Sequence, residues 1–314
     1  MNPPITEEQR NSKAGVNKTL EALLARLIDY AGLFPPASLE MYAAVANYDV
    51  YSRSEFCWML GRFIVPAARL TEFDAALEHL TTKGSKPWGL SVLLGADPAA
   101  DVVRIREFNA RTPNSEDGRR EFVESVEVKA ESPLVVERIV RILPPGLTAY
   151  FEIPLAGREH ECIAAVTNCG CRAKIRTGGE TADKFPEAAH VIEFVRQCAL
   201  AGVPFKATAG LHHPIRSVHP LTYQPDSPSA LMHGFLNLFL AAAFVKGGME
   251  THAAVQLLEE KSASAIQFDS EGVEWRGHRL GWREVAAARQ DFSISFGSCS
   301  FSEPIDDLRS LGLL

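Results

Sequence analysis

Two lysines lie near the ends of two apolar, strand-like runs, and each run continues into glycine. Lys174 belongs to residues 171–179 (CRAKIRTGG), and Lys206 belongs to residues 203–210 (VPFKATAG). The lysines are about 30 residues apart, which is the length of one strand–helix–strand unit. We therefore expect two neighbouring parallel strands that carry both amines to the same carboxyl edge of a sheet.

Two ammonium groups at such a short separation repel each other. Repulsion and partial burial both lower the pKa of at least one of the amines, so an uncharged lysine becomes available near neutral pH. An uncharged lysine is a nucleophile, and the reaction that uses it is formation of a Schiff base with a carbonyl compound. The lysine pair therefore predicts imine chemistry at this edge of the sheet.

Strand-like runs alternate with helix-like segments along most of the chain, and this alternation predicts the elements that position the lysines. Strands are predicted at residues 27–34, 62–66, 89–94, 123–128, 148–154, 173–176, 204–207 and 292–296, and helices at 38–51, 70–80, 99–109, 134–143, 159–167 and 186–201. Strict alternation of eight such units predicts an α/β fold of the (β/α)₈ TIM-barrel type, with a doubly wound open sheet as the alternative.

The two ends of the chain depart from this regular pattern. Residues 1–18 are polar and contain proline, so we expect a mobile N-terminal arm, followed by one barrel domain at residues 19–314. Two helical patterns and a polar hairpin at residues 266–280 precede the last strand. They predict an insertion at about residues 248–290.

Composition restricts the classes of partner. Of the 314 residues, 46% are hydrophobic and 23% are charged, as in ordinary soluble proteins, and the net charge of −7 argues against a nucleic-acid surface.

The most apolar stretch contains His233 and Asn237 and is too short to span a bilayer, so we expect a buried helix and no membrane role. Six scattered cysteines and a polar start without a secretory signal predict a cytoplasmic protein. We expect a small-molecule substrate. The sequence is compatible with both a monomer and a homo-oligomer.

Several segments resemble the deoxyribose-phosphate aldolases. Residues 174–179 (KIRTGG) resemble that family's Schiff-base run Lys-Thr-Ser-Thr-Gly-Phe, and residues 206–211 (KATAGL) resemble its next-strand Lys-Ala-Ser-Gly-Gly-Ile. Residues 28–33 (IDYAGL) are similar to its first-strand Ile-Asp-His-Thr-x-Leu, and residues 296–300 (FGSCS) are similar to its closing Ile-Gly-x-Ser-Ser. Glu127 stands in the place of its fourth-strand aspartate.

The resemblance implies roles for the residues that match. Lys174 would form the imine, Lys206 would be the second cation that keeps it uncharged, and Glu127 would move protons to and from the carbinolamine and enamine. Asp29 would bind substrate hydroxyls or hold Lys206. A substrate phosphate would lie against glycine amides and hydroxyls at the late strands, which are Thr177, Gly178, Gly179, Gly210, Gly297, Ser298 and Ser300.

The sequence departs from the family beside the expected imine. Arg176 replaces a small residue and can pair with a carboxylate or phosphate on the substrate, while Gly179 replaces an aromatic residue. His212, expected at the substrate, and His213 follow the second lysine in place of a short glycine-rich turn. Because these changes enlarge and recharge the pocket, deoxyribose 5-phosphate is not the predicted substrate. We expect neither a metal nor an organic cofactor, since the histidine pair lacks a third ligand at helical spacing.

The sequence therefore predicts a Schiff-base-forming aldolase or lyase that acts on a small, anionic or phosphorylated carbonyl compound. Two alternatives stay open. One is a cofactor-independent isomerase or hydrolase on the same barrel, with Lys174, Glu127 and the histidines as acid–base groups. The other is a barrel without catalysis that binds a metabolite or a partner protein.

Overall fold

Eight parallel strands close into a barrel in the computed structural model of the chain, which describes residues 16–80, 87–111, 121–155 and 157–314. The strands are β1 (Ile28–Tyr30), β2 (Leu60–Pro66), β3 (Gly89–Leu93), β4 (Phe122–Lys129), β5 (Thr148–Glu152), β6 (Arg172–Arg176), β7 (Phe205–Thr208), β8 (Ser217–Pro220), β9 (Ser229–Met232), β10 (Ile266–Phe268), β11 (Gly272–Trp275), β12 (His278–Gly281) and β13 (Ser293–Ser298). The barrel consists of β1–β7 and β13. The predicted fold class, a (β/α)₈ TIM barrel, is confirmed.

Helices cover the outside of the barrel strands and alternate with them. They are α1 (Lys18–Leu24), α2 (Met41–Ser52), α3 (Leu70–Glu78), α4 (Pro98–Ala110), α5 (Pro133–Ile142), α6 (Glu159–Asn168), α7 (Ala188–Ala201), α8 (Phe235–Lys246), α9 (Thr251–Leu258), α10 (Trp282–Asp291) and α11 (Ser302–Ser310). The sequence also sets their ends. Asp97 accepts a hydrogen bond from the Ala100 N–H at the start of α4, and Gly202 ends α7 in the left-handed conformation that glycine favours.

The last barrel strand closes the ring as the sequence predicts. Phe296 in β13 pairs with Ile28 in β1 on one side and with Ala207 in β7 on the other. The predicted hairpin at residues 266–280 lies outside the ring as the antiparallel sheet β10–β11–β12. Helix α10 follows this sheet and packs against β13 and α1, so it also belongs to the outer layer of the barrel.

Three local features differ from the sequence predictions. Helix α1 begins at Lys18, inside the predicted arm, because Asn17 caps it and its leucines are buried in the core; residues 1–15 lie outside the described part of the chain. Strand β1 is shorter than predicted, since the chain turns after Ala31, where the Phe34 N–H donates to the Ala31 carbonyl. The hairpin β8–β9 was not predicted, because its short strands alternate polar and apolar residues only weakly.

The most apolar predicted stretch is buried, and its polar residues have partners. Helix α8 lies within the core, and Asn237 donates hydrogen bonds to the Leu257 and Glu260 carbonyls. His233 is hydrogen-bonded to the Pro186 carbonyl. Across the described ranges, no helix has the length and apolar character needed to cross a membrane.

Candidate active site

The register of three neighbouring strands brings the predicted lysines and a glutamate together. Lys174 in β6 pairs directly with Lys206 in β7, and on its other side it pairs with Glu152 in β5. The side chains of Lys174 and Lys206 are 4% and 1% exposed, so both amines lie inside the protein. Parallel strands therefore place the charged groups at one carboxyl edge of the barrel, as the spacing of the lysines predicts.

Glu127 joins the two lysines. Its Oε2 atom lies 2.8 Å from the Lys174 Nζ atom, and its Oε1 atom lies 2.6 Å from the Lys206 Nζ atom. The Ser91 hydroxyl also donates to Oε1, at 2.7 Å. Because one carboxylate binds both amines, the two nitrogens lie within about 8 Å of each other, a limit set by two hydrogen-bond lengths and the width of the carboxylate.

Asp29 holds Lys206 and is fully buried. Its Oδ2 atom accepts hydrogen bonds from the Lys206 ammonium and the Ser295 hydroxyl, both at 2.7 Å, and its Oδ1 atom accepts one from the Arg62 main-chain N–H, also at 2.7 Å. Two roles were predicted for this residue. The geometry matches the one in which Asp29 positions Lys206, since its exposed fraction is 0%.

Glu152 is a site residue that the sequence reasoning missed. Its Oε2 atom lies 2.8 Å from the Lys174 Nζ atom, and its Oε1 atom accepts a hydrogen bond from Arg176 Nε at 3.0 Å. The available signal was its position at the carboxyl end of a predicted strand next to the strand of Lys174. Lys174 therefore lies between two carboxylates, Glu127 and Glu152.

Carboxylates dominate the electrostatics of the lysine pair. Burial by itself raises the pKa of Glu127, but attraction to Lys174 and Lys206 is stronger and holds that pKa well below its ordinary value. The pKa values of Asp29 and Glu152 are lowered in the same way, against burial, by their cationic neighbours. Burial opposes the charge on Lys206, but Asp29 and Glu127 outweigh it and raise the pKa of this amine. Asp29 and Glu127 therefore hold Lys206 in its charged form, which is the form expected of the second cation.

We expect the stability of the protein to fall in acid because of this network. The pKa values of Asp29, Glu127 and Glu152 lie below their ordinary values of 3.8, 4.5 and 4.5, so the unfolded chain binds protons before the folded chain does. Their contribution is fully present above about pH 5 and is lost as the pH falls below it. Urea unfolding should show a decrease of about 2 to 5 kcal/mol between about pH 5 and pH 3, and a smaller decrease in Asp29→Asn. A free energy of unfolding that stays constant over this range would contradict the network.

A cavity of about 1030 Å³ opens above this network at the carboxyl end of the barrel. The predicted site residues on its wall are Glu127, Lys174, Arg176, Gly178, Gly179, Gly210, His212 and Gly297. Asp29 and Lys206 are buried behind the wall and connect to it through Glu127. The two lysines therefore differ in their access to the cavity. Lys174 lines the cavity, whereas Lys206 is buried beneath it and binds Asp29 and Glu127.

The hydroxyls predicted to bind phosphate have partners within the protein. The Thr177 hydroxyl donates to the Ala209 carbonyl at 2.7 Å. The Ser298 hydroxyl accepts from the Ser300 N–H at 3.3 Å, and the Ser300 hydroxyl accepts from the Glu303 N–H at 3.1 Å in the first turn of α11. Ser300, which precedes the first residue of α11 by two positions, therefore satisfies one main-chain N–H in the first turn of that helix.

The glycines beside the lysines are required by close packing. A Cβ atom on Gly178 would lie 2.6 Å from the ring of Phe185 and 2.8 Å from the Gly210 Cα atom. A Cβ atom on Gly210 would meet the same ring at 2.7 Å, and this residue also has a φ of +73°. Packing thus accounts for both glycines, and a phosphate site at their amides stays a prediction.

The fold and this cluster define a (β/α)₈ barrel protein with a lysine between two carboxylates at the mouth of the barrel. No protein-family model, curated protein or solved structure matches the chain. The resemblance to the deoxyribose-phosphate aldolases therefore stays a prediction. Among the described residues, no group of three or more histidine, cysteine, aspartate or glutamate side chains is arranged to hold a metal ion.

Proposed function

We propose that the protein is a Schiff-base-forming aldolase or lyase that acts on a small carbonyl compound, with Lys174 as the nucleophile. The observation that carries this proposal is the position of the Lys174 amine, which lies on the wall of the cavity between Glu127 and Glu152. The Lys206 amine is also held by two carboxylates, Asp29 and Glu127, but of the two lysines Lys174 is the one on the cavity wall. An amine that attacks a carbonyl carbon needs such acceptors.

The two carboxylates can stabilise both positively charged forms of Lys174 in the reaction, the ammonium and the protonated imine. The Lys174 ammonium must first lose a proton, and Nζ then attacks the carbonyl carbon while the carbonyl oxygen takes up a proton. Loss of that oxygen as water gives a protonated imine, which carries a positive charge where the ammonium was. Glu127 and Glu152 therefore stabilise this intermediate as they stabilise the ammonium, and they lie close enough to accept and return protons.

Arg176 supports a substrate that carries an anionic group. Its Nε atom donates to Glu152, which fixes the guanidinium, and about half of its side chain remains exposed. The remaining N–H groups can bind one carboxylate or phosphate in a forked geometry. The rest of the cavity wall carries charges of both signs, namely the acidic residues Glu127, Glu131, Glu152, Glu180, Asp183 and Glu303 and the basic residues Lys129, Lys174 and Lys184.

Borohydride reduction in the presence of small carbonyl compounds tests the proposal. We would incubate the protein with pyruvate, acetaldehyde, dihydroxyacetone or glyceraldehyde, add sodium borohydride, and measure the intact mass. The expected result is a stable adduct of one equivalent with at least one compound, with a mass increase of the carbonyl compound less one oxygen. Absence of an adduct across a broader panel of aldehydes and keto acids would contradict an imine mechanism.

The same ion pairs favour a second function, a cofactor-independent isomerase. A lysine that stays protonated between Glu127 and Glu152 can act as an acid or stabilise an enolate without forming an imine. An isomerase of this kind would exchange the α-protons of a carbonyl substrate with D₂O and would give no borohydride-stable adduct. A barrel that only binds a metabolite would show neither exchange nor adduct.

A further inference from the structure

A second polar cluster lies on the wall of the same cavity, and the proposed imine chemistry leaves it without a role. It consists of His212 after β7, Tyr223 in the loop of the hairpin β8–β9, Cys299 after β13, and Glu303 in α11. The His212 Nδ1 atom lies 3.3 Å from the Glu303 Oε2 atom and 4.0 Å from the Cys299 Sγ atom. The Tyr223 hydroxyl donates to the same Glu303 oxygen at 3.2 Å.

These contacts fix the orientation of the imidazole. Both contacts of His212 involve Nδ1, so Glu303 holds a proton on that nitrogen in the way a carboxylate orients a catalytic histidine. In the described part of the chain, Nε2 has no hydrogen-bond partner, and the ring lines the cavity. His212 is therefore an oriented imidazole with one nitrogen available to a molecule in the cavity.

The groups around His212 favour its charged form. Burial opposes that charge, but the contacts with Cys299 and Glu303 outweigh burial and raise the pKa of His212 to about 10. The ring of His213, 6.4 Å away, is paired with Asp307 through Nδ1 at 2.6 Å. At neutral pH the imidazole thus carries a proton that it can donate.

An aldol reaction needs a proton donor away from the imine. When the enamine carbon attacks an acceptor aldehyde, the C–C bond forms at the aldehyde carbon, the electron pair of the C=O bond moves to oxygen, and that oxygen must take up a proton. Lys174, Glu127 and Glu152 hold the imine end of the substrate. We propose that His212 is the catalytic acid that protonates the oxygen of the acceptor aldehyde, with Glu303 as its positioning residue.

In the direction of cleavage, the same residue removes the proton from the β-hydroxyl group while the C–C bond breaks, and the electron pair returns to the enamine. Protons therefore balance within the site, and no further reactant is needed. This inference rests on the proposed function, because it assumes an enamine at Lys174. It goes beyond that function by assigning the reaction of the second carbonyl to a separate cluster.

Two half-reactions distinguish the role of His212 at the acceptor aldehyde from the role of the imine at Lys174. Exchange of the donor's α-protons with D₂O, followed by NMR with the donor carbonyl that gives the adduct, needs the imine alone. Condensation of that donor with glyceraldehyde needs both ends of the site. In His212→Gln we expect condensation to fall by about 10²-fold or more in kcat, with exchange retained within about threefold. The matched control is His252→Gln, since His252 is exposed on α9 and is not among the residues that line the cavity, and it should condense at the parent rate.

The possible outcomes distinguish the two proposals. If the parent protein exchanges no donor, the proposed function fails first. If His212→Gln melts near the parent temperature and condenses normally, or loses exchange together with condensation, the assignment of His212 to the acceptor is wrong. A rise in KM for an anionic substrate with unchanged kcat would also overturn it, because that result identifies an anion-binding residue. Glu303→Gln should lower kcat and shift the alkaline limb of its pH profile to lower pH, which a merely structural contact would not do.

Discussion

Replacement of Lys174 by methionine is expected to abolish both turnover and the borohydride-stable adduct. Methionine removes the nucleophile, and loss of a covalent nucleophile costs about 10⁴-fold or more in rate. The fold should survive, because each carboxylate that loses Lys174 keeps another cation: Glu127 keeps Lys206, and Glu152 keeps Arg176. Intact-mass measurement of the adduct and thermal melting of the same samples check the two parts of this prediction.

Lys184→Met is the matched control for this experiment. Lys184 also lines the cavity, but it is 61% exposed, and within the described ranges its one ion pair is with Asp183, at 3.7 Å. The control should keep its adduct and turnover within about twofold of the parent, since exposed ion pairs contribute little. An adduct of parent intensity in Lys174→Met would show that another amine reacts.

Replacement of Lys206 by methionine is expected to destabilise the protein strongly. Among the described residues, the change leaves the fully buried Asp29 carboxylate with hydrogen bonds from the Ser295 hydroxyl and the Arg62 main-chain N–H, which are both neutral, and with the attraction of the nearby Arg62 side chain. Removal of one partner from a buried ion pair costs about 3 to 5 kcal/mol, because the remaining charge stays desolvated. Urea unfolding at neutral pH measures this loss, and Lys184→Met, which changes an exposed lysine, should lose less than about 0.5 kcal/mol.

A double variant identifies the cause of that loss. In Lys206→Met/Asp29→Asn the stranded charge is absent, so we expect at least about 1 kcal/mol of the stability lost in Lys206→Met to return. Additive losses in the double variant, or a loss below about 1 kcal/mol in Lys206→Met, would contradict the view that the Asp29–Lys206 pair is one electrostatic unit.

Local patterns predict the barrel and the position of the lysines. Strand-like runs that alternate with helices indicate the ring, and the spacing of Lys174 and Lys206 places them on adjacent strands, which the register confirms. Strand β1 is shorter than the apolar run that predicts it, because the apolar residues Leu33 and Phe34 belong to a turn in which the Phe34 N–H donates to the Ala31 carbonyl.

The partners of the lysines are less visible in the sequence. One glutamate at a strand end, such as Glu152, looks like any solvated carboxylate until the register shows that it pairs with Lys174. The glycines at 178 and 210 suggest an anion site, whereas their close packing depends on Phe185, a residue in a different loop. The His212–Glu303 contact joins two loops that are distant along the chain, so no local motif marks it.

Location of the borohydride-reduced adduct in the chain tests the central claim most directly. After reduction with a reactive donor, the protein would be digested and the modified lysine identified by tandem mass spectrometry. We predict modification of Lys174 and none of Lys206, because Lys174 lines the cavity whereas Lys206 is buried between Asp29 and Glu127. Modification of Lys206, of exposed lysines only, or of no lysine would contradict the assignment of Lys174 as the nucleophile.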